Sequence, residues 1–398
     1  MALAALICAY QESDEPGGPL RATLPLAGRS LVERQARLAA AAGAERIIIL
    51  VERLPPELAA AIDRMRSEGV SALVARGAAE AAQAVEPGDR LLLVADGLIT
   101  GHSHIRRMAA ADGAALLTMP DGAADDRFER IDAHSRWAGL ALIDGALLRR
   151  TVALLDEWDL QSTLLRRAIQ SGARQFALRA DPGDEAPTIA ERSSDLDEAE
   201  TRIVEAAGAG RSGGVANQLL APVERAATGI LMSSAVTPEW LNLTAAALTG
   251  LAALLFTQHW LWAGGALLLL ATPLDGIADR LAALRLQPGR DRGWRADVLP
   301  ALAGAALLAL AWSLWRSLGW GCLALAAATI VLLVALRGEL AGADVPGKAW
   351  LAERKGMTWL MLPFALAGWW VPGLAALAVY AAGSFFWAQR QVHRRQQD

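Results

Sequence analysis

ATPLDGIADRLAALRLQPGRDRGWRADVLP, residues Ala271 to Pro300, sets four aspartates and five arginines between two runs built almost wholly from Leu, Ala, Gly and Trp. Ionisable groups at the end of an apolar helix cost free energy unless they are hydrated, paired or bound to a cation. The flanking runs therefore read as membrane helices, and the charged stretch as the joint between them at the membrane surface. Asp275 falls near the end of one helix and Asp297 at the start of the next. Carboxylates from two helix ends can hold a hard cation such as magnesium, and a further carboxylate can take the proton of an incoming hydroxyl.

Working outward from this joint, long and nearly uncharged runs fill the chain from Leu241 onward. Their lengths predict six spans, at about Leu241 to Gln258, Leu261 to Ala278, Ala296 to Trp315, Trp320 to Leu336, Thr358 to Trp370 and Pro372 to Gln389. The links after the second and fourth spans carry Arg280, Arg285, Arg290, Arg292, Arg295, Arg337, Lys348, Arg354 and Lys355, and the tail adds Arg390, Arg394 and Arg395. The opposite links are short and hold only Arg316. The positive-inside rule then puts the basic links and both termini in the cytosol. Trp260, Trp262, Trp315, Trp320, Trp369 and Trp370 gather at the other ends, where an interfacial belt belongs. The expected protein is an integral inner-membrane protein in contact with the lipid bilayer.

Before residue 210 the pattern changes. Short apolar runs (LAALICAY, RIIILVE, SALVA, RLLLVADG) alternate with amphipathic stretches such as SLVERQARLAAAAG, the signature of βα units that build a mostly parallel, Rossmann-like sheet. The organisation expected is an α/β domain over 1–207, a linker and juxtamembrane amphipathic helix over 208–238, and an all-α six-helix transmembrane domain over 239–398. Across 398 residues, 54% are hydrophobic and the net charge is −4, which argues against bulk electrostatic binding of nucleic acid. Two cysteines, Cys8 and Cys322, with no Cys/His spacing of a metal site, give no disulfide framework.

The charged joint resembles the signature of the CDP-alcohol phosphotransferases, D-x-x-D-G-x-x-A-R followed by G-x-x-x-D-x-x-x-D. Asp275 and Gly276 stand at its second Asp and its Gly, Arg280 at its Arg, Gly289 at the second Gly and Asp297 at the last Asp. Thr272 stands where the pattern has its first Asp, Asp279 where it has Ala, and Gly293 where it has its third Asp. Thr272, Asp275 and Asp279 share an i, i+3, i+7 stripe, so on a continuing helix Asp279 faces the same pocket as Asp275. The resemblance implies Mg2+ or Mn2+ held by Asp275, Asp279 and Asp297, with Gly276, Gly289 and Asp279 lining the cofactor site, Asp297 as general base and Arg280 neutralising phosphate. It implies a transferase of phospholipid biosynthesis that moves a substituted phosphate from a CDP-linked donor to an alcohol acceptor and releases CMP. It also implies a homodimer. The alternative, with two of the pattern's carboxylates replaced, is a catalytically degenerate scaffold or regulatory subunit of a lipid-synthesis pathway. The segment NQLLAPVERAATGILM reads as an amphipathic helix on the membrane surface, and the resemblance implies that it lines the mouth of the pocket, with Asn217 and Arg225 as candidates there.

The first half is similar to sugar-nucleotide-type nucleotidyltransferases over GGPLRATLPLAGRSLVERQARLAAAAGAERIIILVE, and RLLLVADGLI resembles their metal-binding strand end, with Asp96 in the Asp position. In the expected phosphate loop AYQESDEPGG replaces a Gly-rich run, and Arg21 stands where Lys is usual. Fusions of these two families are bifunctional inositol-phosphate cytidylyltransferase/phosphotransferases, and the chain has that layout.

Overall fold

The computed structural model describes residues 2–121, 126–154, 159–178, 186–209, 215–232, 234, 236–284, 292–340 and 350–395. The chain forms two compact units, Met1–Ala206 and Ala207–Asp398.

In the first unit the apolar runs become the strands β1 (Leu3–Cys8), β2 (Arg46–Leu50), β3 (Ala72–Ala75), β4 (Arg90–Val94), β5 (Ala115–Pro120), β6 (Ser135–Asp144) and β7 (Arg174–Ala177). They lie in one sheet in the order β7-β5-β6-β4-β1-β2-β3. β1 pairs in parallel with β2 and β4, β2 with β3, and β5 with β7. Only β6 runs against its neighbours, antiparallel to β4 and β5. This is the α/β architecture expected from the alternation. β1 sits between two parallel partners and is buried at every residue, which is why LAALIC is continuously apolar rather than alternating. The helix Leu31–Ala41 starts at Ser30, whose N–H and Oγ both donate to Glu33 Oε2 at 2.9 and 2.8 Å. Glu33 is wholly buried, and Arg64 at 2.9 Å and Arg29 at 3.3 Å supply its countercharge.

The second unit is helical, with α1 (Val215–Met232), α2 (Pro238–Thr257), α3 (Leu261–Leu284), α4 (Arg292–Ser313), α5 (Trp320–Leu340), α6 (Arg354–Leu366) and α7 (Trp370–Arg395). α2 begins on Pro238, and the side chain of its N-cap Thr237 accepts from Trp240 N. Helices form at all six places read as spans, but among the described residues four of them are long and apolar enough to cross a membrane: α2, α3, α5 and α7. The expectation of six spans is corrected to that extent. The described apolar part of α4 runs only from Asp297 to Ser313. α6 has 13 residues, about 20 Å of helix against a hydrocarbon core of about 30 Å. Its end is set by Gly368, at φ 73°: the N–H of Trp369 returns to Phe364 O and that of Gly368 to Ala365 O, both at 2.8 Å. That left-handed turn separates α6 from α7. The tryptophans expected at an interface lie at the helix ends, with Trp260, Trp262, Trp320 and Trp369 more than half exposed and Trp370 buried.

Candidate functional site

The motif stripe lies on α3, which continues past Pro273 to Leu284. Continuation brings Thr272, Asp275 and Asp279 into the wall of one cavity of about 830 Å³ within the helical unit. Most of the wall is apolar, from Phe256, Trp262, Leu269, Leu307 and Trp370 among others, with Trp262 and Trp370 meeting edge to face at 5.6 Å between ring centroids. The charged residues of the wall are Asp275, Asp279, Arg337, Glu353 and Arg354. The cavity is therefore amphiphilic.

Of the groups expected to hold a cation, Asp275 has one oxygen committed to an arginine. Asp275 is buried, and its Oδ2 accepts from Arg354 Nη2 in an ion pair; Arg354 Nη1 also donates to Thr249 Oγ1 at 3.2 Å. Thr272 donates its hydroxyl hydrogen to Leu269 O at 2.7 Å and accepts from Trp359 Nε1 at 3.3 Å. Arg280, expected to neutralise phosphate, is buried away from the cavity wall, and its Nε donates to Glu224 Oε2 at 3.3 Å. Glu224 Oε1 accepts from Lys355 Nζ at 2.9 Å. Gly276 makes room for this carboxylate, since a Cβ there would run into the Glu224 side chain. Asp297 is exposed and is not part of the cavity wall. Gly293 lies in the first turn of α4, and Gly289 lies outside the described residues.

Among the described residues, which include Asp275, Asp279 and Asp297, no three His, Cys, Asp or Glu side chains are grouped to hold a metal ion. A two-metal centre needs several carboxylate oxygens converging on each hard cation. Here the wall offers three carboxylates that are not grouped on one point, Asp275 with one oxygen already taken by a guanidinium, Asp279 and Glu353, beside a neutral Thr272. The residues present do not fit such a centre.

Two contributors, Arg354 and Glu224, carry no motif signal. In sequence Arg354 is one basic link residue among several, and Glu224 lies between the expected mouth residues Asn217 and Arg225. A signal for it exists: Ala216, Leu220, Glu224, Thr228 and Met232 recur every four residues and form the buried line of α1. A lone acid on that line has to face the protein and needs a partner.

In the sheet unit, Asp96 follows the carboxyl end of β4, where ligands of open α/β sheets bind. It is 2% exposed. Its Oδ2 accepts from the backbone N–H of Tyr10 and of Gln11, each at 2.7 Å, in the segment that continues β1. Burial pushes its carboxyl up to about 7, against the lowering effect of those two N–H groups and of Arg21. Burial likewise pushes the nearby Cys8 thiol up. Gly97 holds the turn after Asp96 at φ 71°, where a Cβ would lie 2.8 Å from Ala190 O. Arg21, in the phosphate-binding position, donates to Gln11 Oε1 and to Glu191 Oε1, both at 2.8 Å. The acidic loop has its charge balanced within the unit, Glu12 by Arg53 at 2.9 Å and Asp14 by Arg192 at 3.1 Å.

The class defined so far is an α/β sheet unit joined to a helical unit with four helices fit to cross a membrane. No family model matches the chain, and no curated protein matches it by sequence. Among solved structures, the inositol-1-phosphate CTP transferase from T. maritima is similar over 51% of this chain and 95% of its own, at 13% identity and a TM-score of 0.39. A likeness that remote carries nothing about activity.

Proposed function

We propose that this chain is an integral membrane protein that binds an amphiphile in the cavity of its helical unit without carrying out metal-dependent phosphate transfer, as a scaffold or regulatory subunit of lipid synthesis. The observation that carries this reading is the Asp275–Arg354 ion pair: a guanidinium occupies the carboxylate on which a divalent cation would depend. A mostly apolar cavity with a few charged residues in its wall supports an amphiphilic occupant over a water-soluble one. An even number of crossings, four or six, returns both termini to one side, and the basic joint around Arg280 to Arg295 makes that side the cytosol. The sheet unit enters this reading as a nucleotidyltransferase-like domain whose acidic loop and internally paired Arg21 disfavour a bound triphosphate.

One observation favours the transferase that the resemblance implies: Thr272, Asp275 and Asp279 do line a single cavity. Under that reading Asp297 has to reach the same cavity as base. The deciding experiment supplies the full chain, in detergent or nanodiscs, with CDP-dioleoylglycerol and a panel of alcohols in Mg2+ and in Mn2+, and measures CMP release. The expected result is release no greater than from a preparation of Asp275→Asn. Release that depends on Asp275 and on the metal would overturn the proposal in favour of the transferase.

A further inference from the structure

A groove of about 480 Å³ on the helical unit shares no lining residue with the cavity. It lies where the segment entering α6 crosses α7, between Trp350 on one side and Val379, Tyr380, Gly383 and Trp387 on the other. Two hydrogen bonds build it: Tyr380 donates its hydroxyl hydrogen to Trp350 O, and Ala352 N donates to Ser384 Oγ, both at 2.9 Å. Gly383 leaves room in it, since a Cβ there would meet no atom within 4 Å. Trp350, Val379 and Trp387 are each at least half exposed. On a helix long and apolar enough to cross a membrane, such a groove meets lipid rather than water.

Charge at one end sets this groove apart from an ordinary lipid-facing surface. Val379, Gly383, Phe386, Arg390 and Arg394 are all exposed and recur every three or four residues, so they share one face of α7. From Val379 to Arg390 that face is about 16 Å long, close to one leaflet of a hydrocarbon core of about 30 Å. Arg390 and Arg394 make no ion pair with a described residue. The tail around them, AQRQVHRRQQD, holds three arginines against one aspartate, and the undescribed link before Trp350 adds Asp344 and Lys348, which cancel in sum. Glu353 acts on the Tyr380 hydroxyl and has a further interaction of its own. The balance at the arginine end is therefore positive.

Resting on the membrane reading above but not on the occupant of the cavity, we infer that this face of α7 holds an anionic phospholipid. An acyl chain lies in the groove along Val379 and Gly383, between Trp350 and Trp387, and the phosphate sits at Arg390 and Arg394. A zwitterionic lipid with the same chains fills the groove equally well but brings no net charge to the two guanidiniums.

The test is native mass spectrometry of the full chain in detergent with an equimolar mixture of dioleoyl phosphatidylglycerol and dioleoyl phosphatidylcholine, which reads bound lipid and the number of chains together. An arginine near anionic lipid is worth about fivefold in affinity, so the pair is expected to enrich phosphatidylglycerol in the one-lipid adduct by about tenfold or more. Arg390→Gln/Arg394→Gln should bring the two lipids to within about threefold of each other. Gly383→Leu, whose side chain enters open space, should lower the adducts of both lipids at least fivefold and unfold no earlier than wild type, because Leu favours a helix over Gly. Equal binding of the two lipids to the wild type overturns the inference, as does an unchanged preference in the arginine variant or undiminished adducts in Gly383→Leu. If Gly383→Leu turns a two-chain species into a one-chain species with its lipid adducts unchanged, the groove belongs to a second copy of the chain and the inference is overturned. Release of the chain from membranes by alkaline carbonate without detergent would overturn the membrane reading itself, a result separate from any lipid preference.

Discussion

Asp96 in the sheet unit and Asp275 in the helical unit answer the same problem in two ways. Each is a buried aspartate at a position where the sequence resemblance implies a metal ligand, and each has one carboxylate oxygen bonded by the protein and the other without a partner among the described residues. At Asp96 the bonded oxygen meets two neutral backbone N–H groups, from Tyr10 and Gln11. At Asp275 it meets the Arg354 guanidinium. Neutral dipoles only partly replace lost hydration, so burial wins and the Asp96 carboxyl climbs to about 7. A full countercharge offsets the lost hydration at Asp275 but ties the carboxylate to one helix start. A buried carboxylate can thus be held by neutral donors or by a countercharge. The two choices have opposite consequences for mutation.

The pairing choice is the easier to break. Arg354→Gln leaves Asp275 buried without its cation, and loss of one partner of a buried pair costs about 3 kcal/mol or more. The thermal unfolding midpoint of the full chain in detergent is expected to fall by several degrees. The double variant Asp275→Asn/Arg354→Gln should recover more than half of that loss, because two amides can hydrogen-bond without charge. An Arg354→Gln midpoint equal to wild type would show that Asp275 does not depend on the guanidinium, and the contrast with Asp96 would vanish.

How far this contrast was visible in the sequence depends on the range of the forces involved. The strands LAALIC and RLLLV could be read directly because burial on both faces forces a continuous apolar run. The direction of β6 could not, since RWAGLALID has the same period whichever way it runs, and only pairing with β4 and β5 decides it. The stripe of Thr272, Asp275 and Asp279 followed from helical geometry alone. Its partners did not: Arg354 is 79 residues from Asp275, and Glu224 is 56 from Arg280. A long-range ion pair leaves no periodicity. The positive charge of Arg354 also fits the topological signal of the basic links, which masks its second role. α6 falls short as a span for a local reason: apolar content around Thr358 to Trp370 does not reveal the left-handed turn at Gly368 that ends the helix.

The protonating choice sharpens through pH. The folded carboxyl of Asp96 lies near 7, raised from 3.8. Between those values the folded chain holds a proton that the unfolded chain has released, so stability falls as pH rises through this window, and the penalty is complete above about 7. Asp96→Asn cannot titrate and still accepts from Tyr10 and Gln11. It is expected to match wild type near pH 4 and to exceed it by up to about 4 kcal/mol at pH 8. Hydrogen exchange of β1 and β4 in the full chain, followed from pH 4 to 8 with correction for intrinsic rates, reads this difference locally. A variant less protected than wild type at pH 8 would mean that the Asp96 carboxylate is favoured in its charged form, contrary to the burial argument.

The smallest effect is the most direct comparison with a metal enzyme. A ligand that binds only the folded state stabilises it by RT ln(1 + [L]/Kd), so a cation present at or below its dissociation constant adds at most about 0.4 kcal/mol. With one Asp275 oxygen paired, Asp297 exposed, Thr272 neutral and the wall carboxylates Asp275, Asp279 and Glu353 not grouped on one point, the described residues give a divalent ion too few converging charged oxygens for binding at millimolar concentration. Five millimolar Mg2+ or Mn2+ is therefore expected to move the unfolding midpoint of the helical unit by less than the same concentration moves a conventional two-metal protein, and by no more than EDTA does in the opposite sense. Repeating the titration on Arg354→Gln separates the two explanations for a null result. If the guanidinium excludes the cation, freeing Asp275 should make the variant respond to Mn2+ more than wild type. If wild type itself gains a degree or more in a saturable manner, the cation competes successfully with Arg354, and the carboxylate at the cavity is a metal ligand after all.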